Sequence, residues 1–114
     1  MNKLVVMAKA FEGRSEELAR WYDDRHLADL LKVPGFVSAE RHQMIPLKGP
    51  AGLPVWDFLL VYEIEGDPMT VLGTMGGLMG TEAMPVSEAL ESASTLSLVA
   101  MSKMRRQSEA SQIG

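Results

Sequence analysis

The chain has 114 residues, of which 46% are hydrophobic and 23% are charged, and its formal net charge is −4 at pH 7. These values are typical of a globular protein and predict one domain over residues 1–104. The polar C-terminal tail, residues 105–114, is expected to be poorly ordered. No basic cluster interleaved with aromatic residues occurs, which argues against a nucleic-acid partner. The lack of Cys excludes disulfides, iron–sulfur clusters and thiolate zinc sites.

Membrane and secretory segments are not indicated by the sequence. No stretch approaches the roughly 20 apolar residues of a membrane-spanning helix. The N-terminus lacks the long apolar core and the cleavage site of a secretory signal. We therefore expect a cytoplasmic protein with no membrane partner. Because so short a chain encloses little volume, we also expect a site shared between protomers.

The first two predicted elements are a strand and a long helix. Lys3–Phe11 is apolar on both faces, as in a strand covered on both sides. Ser15 is the expected N-cap of a helix that runs to about Lys32. Pro34 and the glycine after it then end the helix.

A hairpin is predicted next. Phe36–Ile45 and Val55–Glu65 alternate as strands, and the proline-rich loop Pro46–Pro54 joins them. The high polar content of the first strand suggests that it lies at a sheet edge or lines a wet cleft. Strict alternation along it would place Phe36 and Ser38 on the same face.

The second half contains weaker patterns. Asp67 and Pro68 are typical of a helix start. The segment Gly73–Gly80 carries four glycines, each costing about 1 kcal/mol inside a helix, so we expect a broken or mobile segment. A short helical turn over Val86–Leu90 and a last strand over Thr95–Met104 complete the chain.

The order of these elements predicts a fold class. Strand, helix, strand, strand, helix, strand is typical of the α+β ferredoxin-like fold, with two helices on one face of a four-stranded antiparallel sheet. Three of its strands are apolar on both faces, so the uncovered face of the sheet would be apolar. We therefore expect a homodimer in which two sheets pack against each other.

The predicted first helix carries a histidine in an otherwise apolar stripe. His26 with Tyr22 one turn before it suits general acid/base chemistry in a half-apolar cleft, with Tyr22 as the hydrogen-bonding partner. The alternative is a structural histidine bonded to a neighbouring strand. Trp21 is interpreted as a packing residue, and Arg25 and Asp29 as a surface ion pair. The stripe at helical spacing consists of Leu18, Tyr22, His26, Leu30 and Val33.

Other candidate sites are weaker. His42 on a strand is interpreted as structural, and two histidines without a carboxylate cluster do not predict a metal site. Gly73–Gly80 lacks the pattern of a phosphate-binding loop. No G-x-S-x-G nucleophile motif occurs. The methionines in and near this segment suit either core filling or the wall of an apolar pocket with a flexible lid; they are Met69, Met75, Met79 and Met84.

The stretch from Trp21 to Arg41 resembles the EthD-like branch of the dimeric α+β barrel proteins. The resemblance rests on an aromatic-Tyr-x-x-x-His motif, a leucine-rich turn, Pro-Gly-Phe and an arginine. It implies a homodimeric barrel with a cleft between helices and sheet in each protomer, with His26 as the motif histidine and Tyr22 as its aromatic partner. Relatives in that superfamily include cofactor-free monooxygenases, polyketide cyclases, isomerases, dehydratases and some haem-binding enzymes.

These observations lead to a functional hypothesis. We expect a cofactor-free enzyme that acts by proton transfer on a hydrophobic, aromatic or polyketide-like molecule. The alternatives are a non-catalytic dimer that binds such a molecule, and a haem-binding protein. In the leading hypothesis His26 and Tyr22 are catalytic, and the substrate-binding residues are Trp56, Phe58, Tyr62, Met75 and Met79.

Overall fold

The computed structural model describes residues 1–109, and four of its segments form one antiparallel sheet. The strands are β1 (Asn2–Ala8), β2 (Phe36–Gln43), β3 (Phe58–Ile64) and β4 (Leu96–Ala100). Their order across the sheet is β2-β3-β1-β4. The two strands that pair on both sides are therefore β1 and β3, and β2 lies at an edge as predicted. This arrangement confirms the predicted ferredoxin-like α+β fold.

Two helices pack on one face of the sheet. The first helix is continuous but has three segments, which are α1 (Ser15–Trp21), a π-helical turn (Tyr22–His26) and α2 (Leu27–Leu31). The second is α3 (Pro68–Leu78). Within residues 1–109, no helix is both long enough and apolar enough to cross a bilayer.

The sheet register decides which side chains meet the helices. Leu4 lies opposite Tyr62 and Val6 opposite Leu60, and these residues face the helices and belong to the core or pack against it. A β-bulge between Phe36 and Ser38 shifts the register of β2. Phe36 consequently faces the core while Ser38 lies on the open face, so the prediction that they share a face is wrong.

The start of β3 corrects two further expectations. The strand begins at Phe58 rather than Val55, because Asp57 is used as an anchor for the turn that follows β1. Its carboxylate accepts hydrogen bonds from the Ala10 amide at 2.8 Å and from the Ser15 hydroxyl at 2.5 Å. Ser15 therefore does not cap the first helix, whose N-cap is Arg14.

The glycine-rich segment is helical, contrary to the prediction of a broken segment. α3 begins as expected, with the Asp67 carboxylate accepting a hydrogen bond from the Thr70 amide, and it continues without interruption through three glycines. Val71 is buried, and Leu72 and Met75 pack against the core. Burial of this apolar face offsets the low helix propensity of glycine. The glycines are Gly73, Gly76 and Gly77, and none has an atom within 4 Å of the position that a Cβ would take.

The segment after α3 also differs from the prediction. No helix forms over Val86–Leu90; instead Leu90 pairs with Ala10 in an isolated bridge, and a short 3₁₀ turn occupies Ser92–Ser94. The last strand ends at Ala100 rather than Met104, and residues 101–108 are exposed and form neither helix nor strand. Of the predicted tail, residues 110–114 lie outside the described residues.

A close contact between Gly35, in the turn before β2, and α3 holds this helix against the sheet. Gly35 has φ +102°, and a Cβ at this position would lie 2.3 Å from Cγ2 of Val71. Its carbonyl accepts a hydrogen bond from the Glu65 amide at 2.8 Å. Only glycine satisfies both the positive φ and the close approach. This contact fixes the position of α3 above the sheet, and thereby one wall of the site.

Candidate functional site

The π-helical turn determines how the aromatic residues of the first helix are arranged. The Leu27 amide donates to the Tyr22 carbonyl, which is the i→i+5 pattern of a π-turn. In a regular α-helix, residues five apart lie about 140° apart around the axis. Here the rings of Trp21 and His26 stack at a centroid distance of 4.2 Å and an interplanar angle of 15°. Because of the π-turn, the two side chains share one face.

His26 is a buried imidazole with an unpaired nitrogen. The residue is 5% exposed, and its buried Nδ1 has no hydrogen-bond partner among the described residues. Burial disfavours the charged form and lowers the pKa of His26 to about 4, although the nearby Asp29 carboxylate opposes this shift. The imidazole is therefore neutral at pH 7.

Two buried tyrosines accompany this histidine. Tyr22 lies with its ring centroid 5.6 Å from that of His26, in an edge-on arrangement. Tyr62 reaches the same region from β3. Burial raises the pKa of both phenols, and the neighbouring Tyr22 adds to the increase at Tyr62. Neither hydroxyl forms a hydrogen bond with another residue in the described part of the chain, so both remain protonated and available as donors.

These side chains line a cavity of about 250 Å³ between the helices and the sheet. Its floor comes from β1, β3 and β4, and its walls come from the first helix, α3 and the segment after α3. The cavity lining is apolar except for the imidazole and a few hydroxyls. The lining residues are Leu4, Val6, Trp21, Tyr22, His26, Leu30, Tyr62, Leu72, Met75, Met79, Leu90, Thr95 and Ser97.

The segment from Glu82 to Glu88 crosses the first helix. Its backbone carbonyls accept hydrogen bonds from two side chains of that helix and from the N-cap residue. The Trp21 indole donates to the Pro85 carbonyl at 3.1 Å. Arg25 donates to the Glu82 carbonyl, also at 3.1 Å, and Arg14 to the carbonyl of Glu88 at 3.2 Å. Trp21 thus links this segment directly to the His26 ring.

The predicted Arg25–Asp29 ion pair is present but differs in its surroundings. Arg25 Nε lies 2.7 Å from Asp29 Oδ2, and Lys32 Nζ lies 3.7 Å from Asp29 Oδ1. Asp29 is only 4% exposed, so this is a buried carboxylate rather than a surface pair. The two cations compensate a charge that lies close enough to affect His26.

Five of the seven predicted site residues lie together around the cavity, namely His26, Tyr22, Tyr62, Met75 and Met79. Trp56 and Phe58 do not line it. Trp56 precedes β3, which begins at Phe58, and its indole donates to the Ser94 carbonyl at 2.7 Å. The guanidinium carbon of Arg41 lies over the Phe58 ring, 4.7 Å from the ring centroid.

Arg41 and His42 lie on opposite faces of β2, as predicted. Arg41 forms a bidentate ion pair with Asp23, with both nitrogen–oxygen distances at 2.7 Å. It thereby joins the π-helical turn to the edge of the sheet. His42 lies on the open face, with Nε2 3.4 Å from a carboxylate oxygen of Glu40, and is remote from the cavity lining.

Trp21 is the site residue that sequence reasoning missed. The sequence indicates only a packing role for Trp21, on a face next to the stripe that carries His26. The aromatic pair at positions 21 and 22 was visible, but nothing in the sequence indicated the π-turn that brings Trp21 over the imidazole.

Metal and haem ligation find little support in this geometry. Residues 1–109 contain no group of three or more His, Asp or Glu side chains placed to hold a metal ion. A cavity of about 150 Å³ accommodates one benzene ring, whereas haem has four pyrrole rings. The 250 Å³ cavity beside His26 is larger than this reference cavity and smaller than one that would fully enclose four such rings.

Comparison with solved structures identifies a related fold. A crystal structure of an EthD family protein from Bacillus halodurans C-125 superposes with a TM-score of 0.56 and 13% sequence identity, covering 90% of this chain and 99% of the other. This chain has the fold of an EthD family protein. No protein-family model matches the sequence, and the search of curated proteins found no match. The fold indicated by the resemblance over Trp21–Arg41 is thus confirmed.

Proposed function

We propose that this EthD-like protein is a small-molecule enzyme that acts on a hydrophobic ring compound by proton transfer. The observation that carries the proposal is the meeting, in a single apolar cavity, of two tyrosine side chains and a buried imidazole whose Nδ1 has no hydrogen-bond partner among residues 1–109. Unpaired polar groups are costly inside a protein. A bound ligand that pairs with them would remove this cost.

His26 is the general base and acid in this proposal. A neutral imidazole accepts a proton from an acidic C–H of the ligand, and Tyr22 donates a hydrogen bond to the oxygen on which negative charge develops. Because burial lowers the pKa of His26 to about 4, its imidazolium returns the proton readily. Isomerisation, in which the same proton is returned to another carbon, balances without any co-reactant and therefore fits this site best.

Hydrogen exchange at carbon tests the proposal without knowledge of the natural substrate. The protein is incubated in D₂O with 1-tetralone, a bicyclic ketone, and loss of the proton signal next to the carbonyl is followed by NMR. We expect exchange faster than in buffer, and a decrease of about 10²-fold or more in His26→Gln. The control His42→Gln, on the open face, should match the wild type. Equal rates in His26→Gln and the wild type would contradict the role of His26.

A second candidate is a non-catalytic binding protein. It is favoured by the low basicity of His26, since a pKa of about 4 makes the imidazole a weak base at neutral pH. In that case the ring compound would be held by hydrogen bonds from the same side chains. Saturation of the cavity with 1-tetralone and no exchange above the buffer rate would favour this candidate over the enzyme.

We further propose that the functional unit is a homodimer formed through the open face of the sheet. Part of this face is apolar and partly exposed, and Leu96 and Leu98 are each 42% exposed. Because β1 and β4 also form part of the cavity floor, a second copy of the chain packed on the open face of these strands would stabilise the position of that floor. The apolar residues on this face are Val5, Met7, Leu59, Val61, Leu96 and Leu98.

A further inference from the structure

The cavity contains no group that could neutralise a charged ligand. None of its lining residues is an Asp, Glu, Lys or Arg. His26 is neutral at pH 7 because its burial disfavours the imidazolium. The carboxylate that acts on His26 belongs to Asp29, which is paired with Arg25 and Lys32 and therefore offers an anion no attraction. An anion in the cavity would thus be buried without a counter-charge, which is strongly unfavourable.

Two of the free hydrogen-bonding groups in the cavity are phenol donors. The hydroxyls of Tyr22 and Tyr62 are protonated, because burial raises both pKa values. The Thr95 hydroxyl is already used, since it donates to the Glu91 carbonyl and accepts from the Lys9 amide. A carbonyl oxygen has two lone pairs and can accept from both tyrosines. The two phenols therefore favour a ligand that carries a hydrogen-bond acceptor.

The remaining walls suit the flat body of a ring compound. Trp21 contributes an indole face, and Met75 and Met79 contribute polarisable side chains that adapt to aromatic surfaces. Because about 150 Å³ holds one benzene ring, the 250 Å³ cavity has room for two fused rings.

We propose that the cavity selects an uncharged compound of one or two fused rings whose carbonyl oxygen accepts hydrogen bonds from Tyr22 and Tyr62, and that it rejects the corresponding carboxylate. This inference rests on the proposed function and specifies its substrate class. Tyr62 becomes a binding residue of the same importance as Tyr22. In the proton-transfer reaction, the same two hydroxyls would stabilise the enolate oxygen.

Three probes that share one ring system test this selectivity at pH 7.5. The first, 2-acetylnaphthalene, carries a carbonyl group. The second, 2-ethylnaphthalene, has no hydrogen-bond acceptor, and the third, 2-naphthoate, carries a negative charge. Binding to the full chain is followed by the ¹³C-methyl signals of Met75 and Met79, with the exposed Met69 as a control outside the cavity. We expect the ketone to bind about tenfold more tightly than the ethyl compound, and the carboxylate at least about 100-fold more weakly than the ketone.

Substitutions then assign the effect to the two hydroxyls. Tyr22→Phe and Tyr62→Phe should each weaken binding of the ketone about five- to tenfold and leave the affinity for 2-ethylnaphthalene unchanged. Trp56→Phe, an aromatic substitution away from the cavity, should change neither. The probe series in the wild type tests the selectivity even if a variant folds poorly.

The outcomes separate this inference from the proposed function. Equal affinity for ketone and carboxylate, or for ketone and ethyl compound, would overturn the selectivity while leaving a ligand site in place. Loss of both ketone and ethyl affinity in Tyr62→Phe would overturn the hydrogen-bonding role of Tyr62. If none of the probes shifts Met75 or Met79, the cavity is not a ligand site, and the proposed function fails together with the inference.

Discussion

Acidification is expected to destabilise this protein through the protonation of His26. The pKa of a histidine in an unfolded chain is about 6.5, whereas burial lowers that of His26 to about 4 in the folded protein. Between these values the unfolded state binds one more proton than the folded state. The stabilisation from the neutral, buried imidazole is therefore complete above pH 6.5 and is lost as the pH falls from 6.5 to 4.

The magnitude follows from the difference in pKa. The free energy of unfolding should fall by about 1.4 kcal/mol for each pH unit within this window. Between pH 7 and 4.5 the contribution of His26 is therefore about 2.5 kcal/mol. Asp29 acts in the opposite direction, because its carboxylate favours the imidazolium.

Urea unfolding at a series of pH values measures this effect. The decrease between pH 7 and 4.5 should be about 2.5 kcal/mol smaller in His26→Gln than in the wild type, since glutamine does not titrate. Carboxylates titrate in both proteins and cancel in the comparison. His42→Gln, the same substitution at a side chain that is 40% exposed and remote from the cavity, is the matched control for this comparison. Parallel curves for the wild type and His26→Gln would refute the argument that His26 is buried in neutral form.

Two further predictions concern the helix packing and the open face. Gly73→Ala should raise the free energy of unfolding by about 0.5–1 kcal/mol, because its added methyl group meets nothing. Gly35→Ala should lower it by at least about 2 kcal/mol, because of the clash with Val71 and the positive φ. Urea unfolding measures both effects, and similar effects at the two positions would contradict the packing described. In sedimentation at micromolar concentration the wild type should have twice the 12.5 kDa chain mass, Val61→Lys should be monomeric, and Met69→Lys on α3 should resemble the wild type. A monomeric wild type would reject the dimer.

The fold was predictable because several independent patterns agreed. The alternation in β3 and the Pro34-Gly35 stop identified the elements and their order, and the helix start at Asp67 was also correct. Element boundaries were less predictable because they depend on tertiary contacts. Asp57 illustrates this: nothing local shows that its carboxylate would anchor the Ala10 amide and the Ser15 hydroxyl and thereby end the strand.

Glycine propensity misled the prediction for α3 in an informative way. Helix propensity describes an isolated helix, and by that measure the segment from Gly73 to Gly77 should be broken. In the protein, the side chains of Val71, Leu72 and Met75 lie on the opposite side of the helix and pack against the core. The glycines take the outer face, where they cost propensity but disturb no contact.

The candidate site was predictable only in part, and the missing part depends on the π-turn. Spacing by four residues correctly associated Tyr22 with His26, because a π-turn keeps residues four apart on neighbouring positions. It could not associate Trp21 with His26, since only an additional residue in the turn brings positions five apart into register. The stack of Trp21 on His26 then covers one face of the imidazole, and the Trp21 bond to Pro85 holds the crossing segment against the first helix. The same local irregularity therefore adds an aromatic ring to the surroundings of the buried histidine. For this reason the chemistry of His26 follows from a backbone feature that side-chain periodicity does not encode.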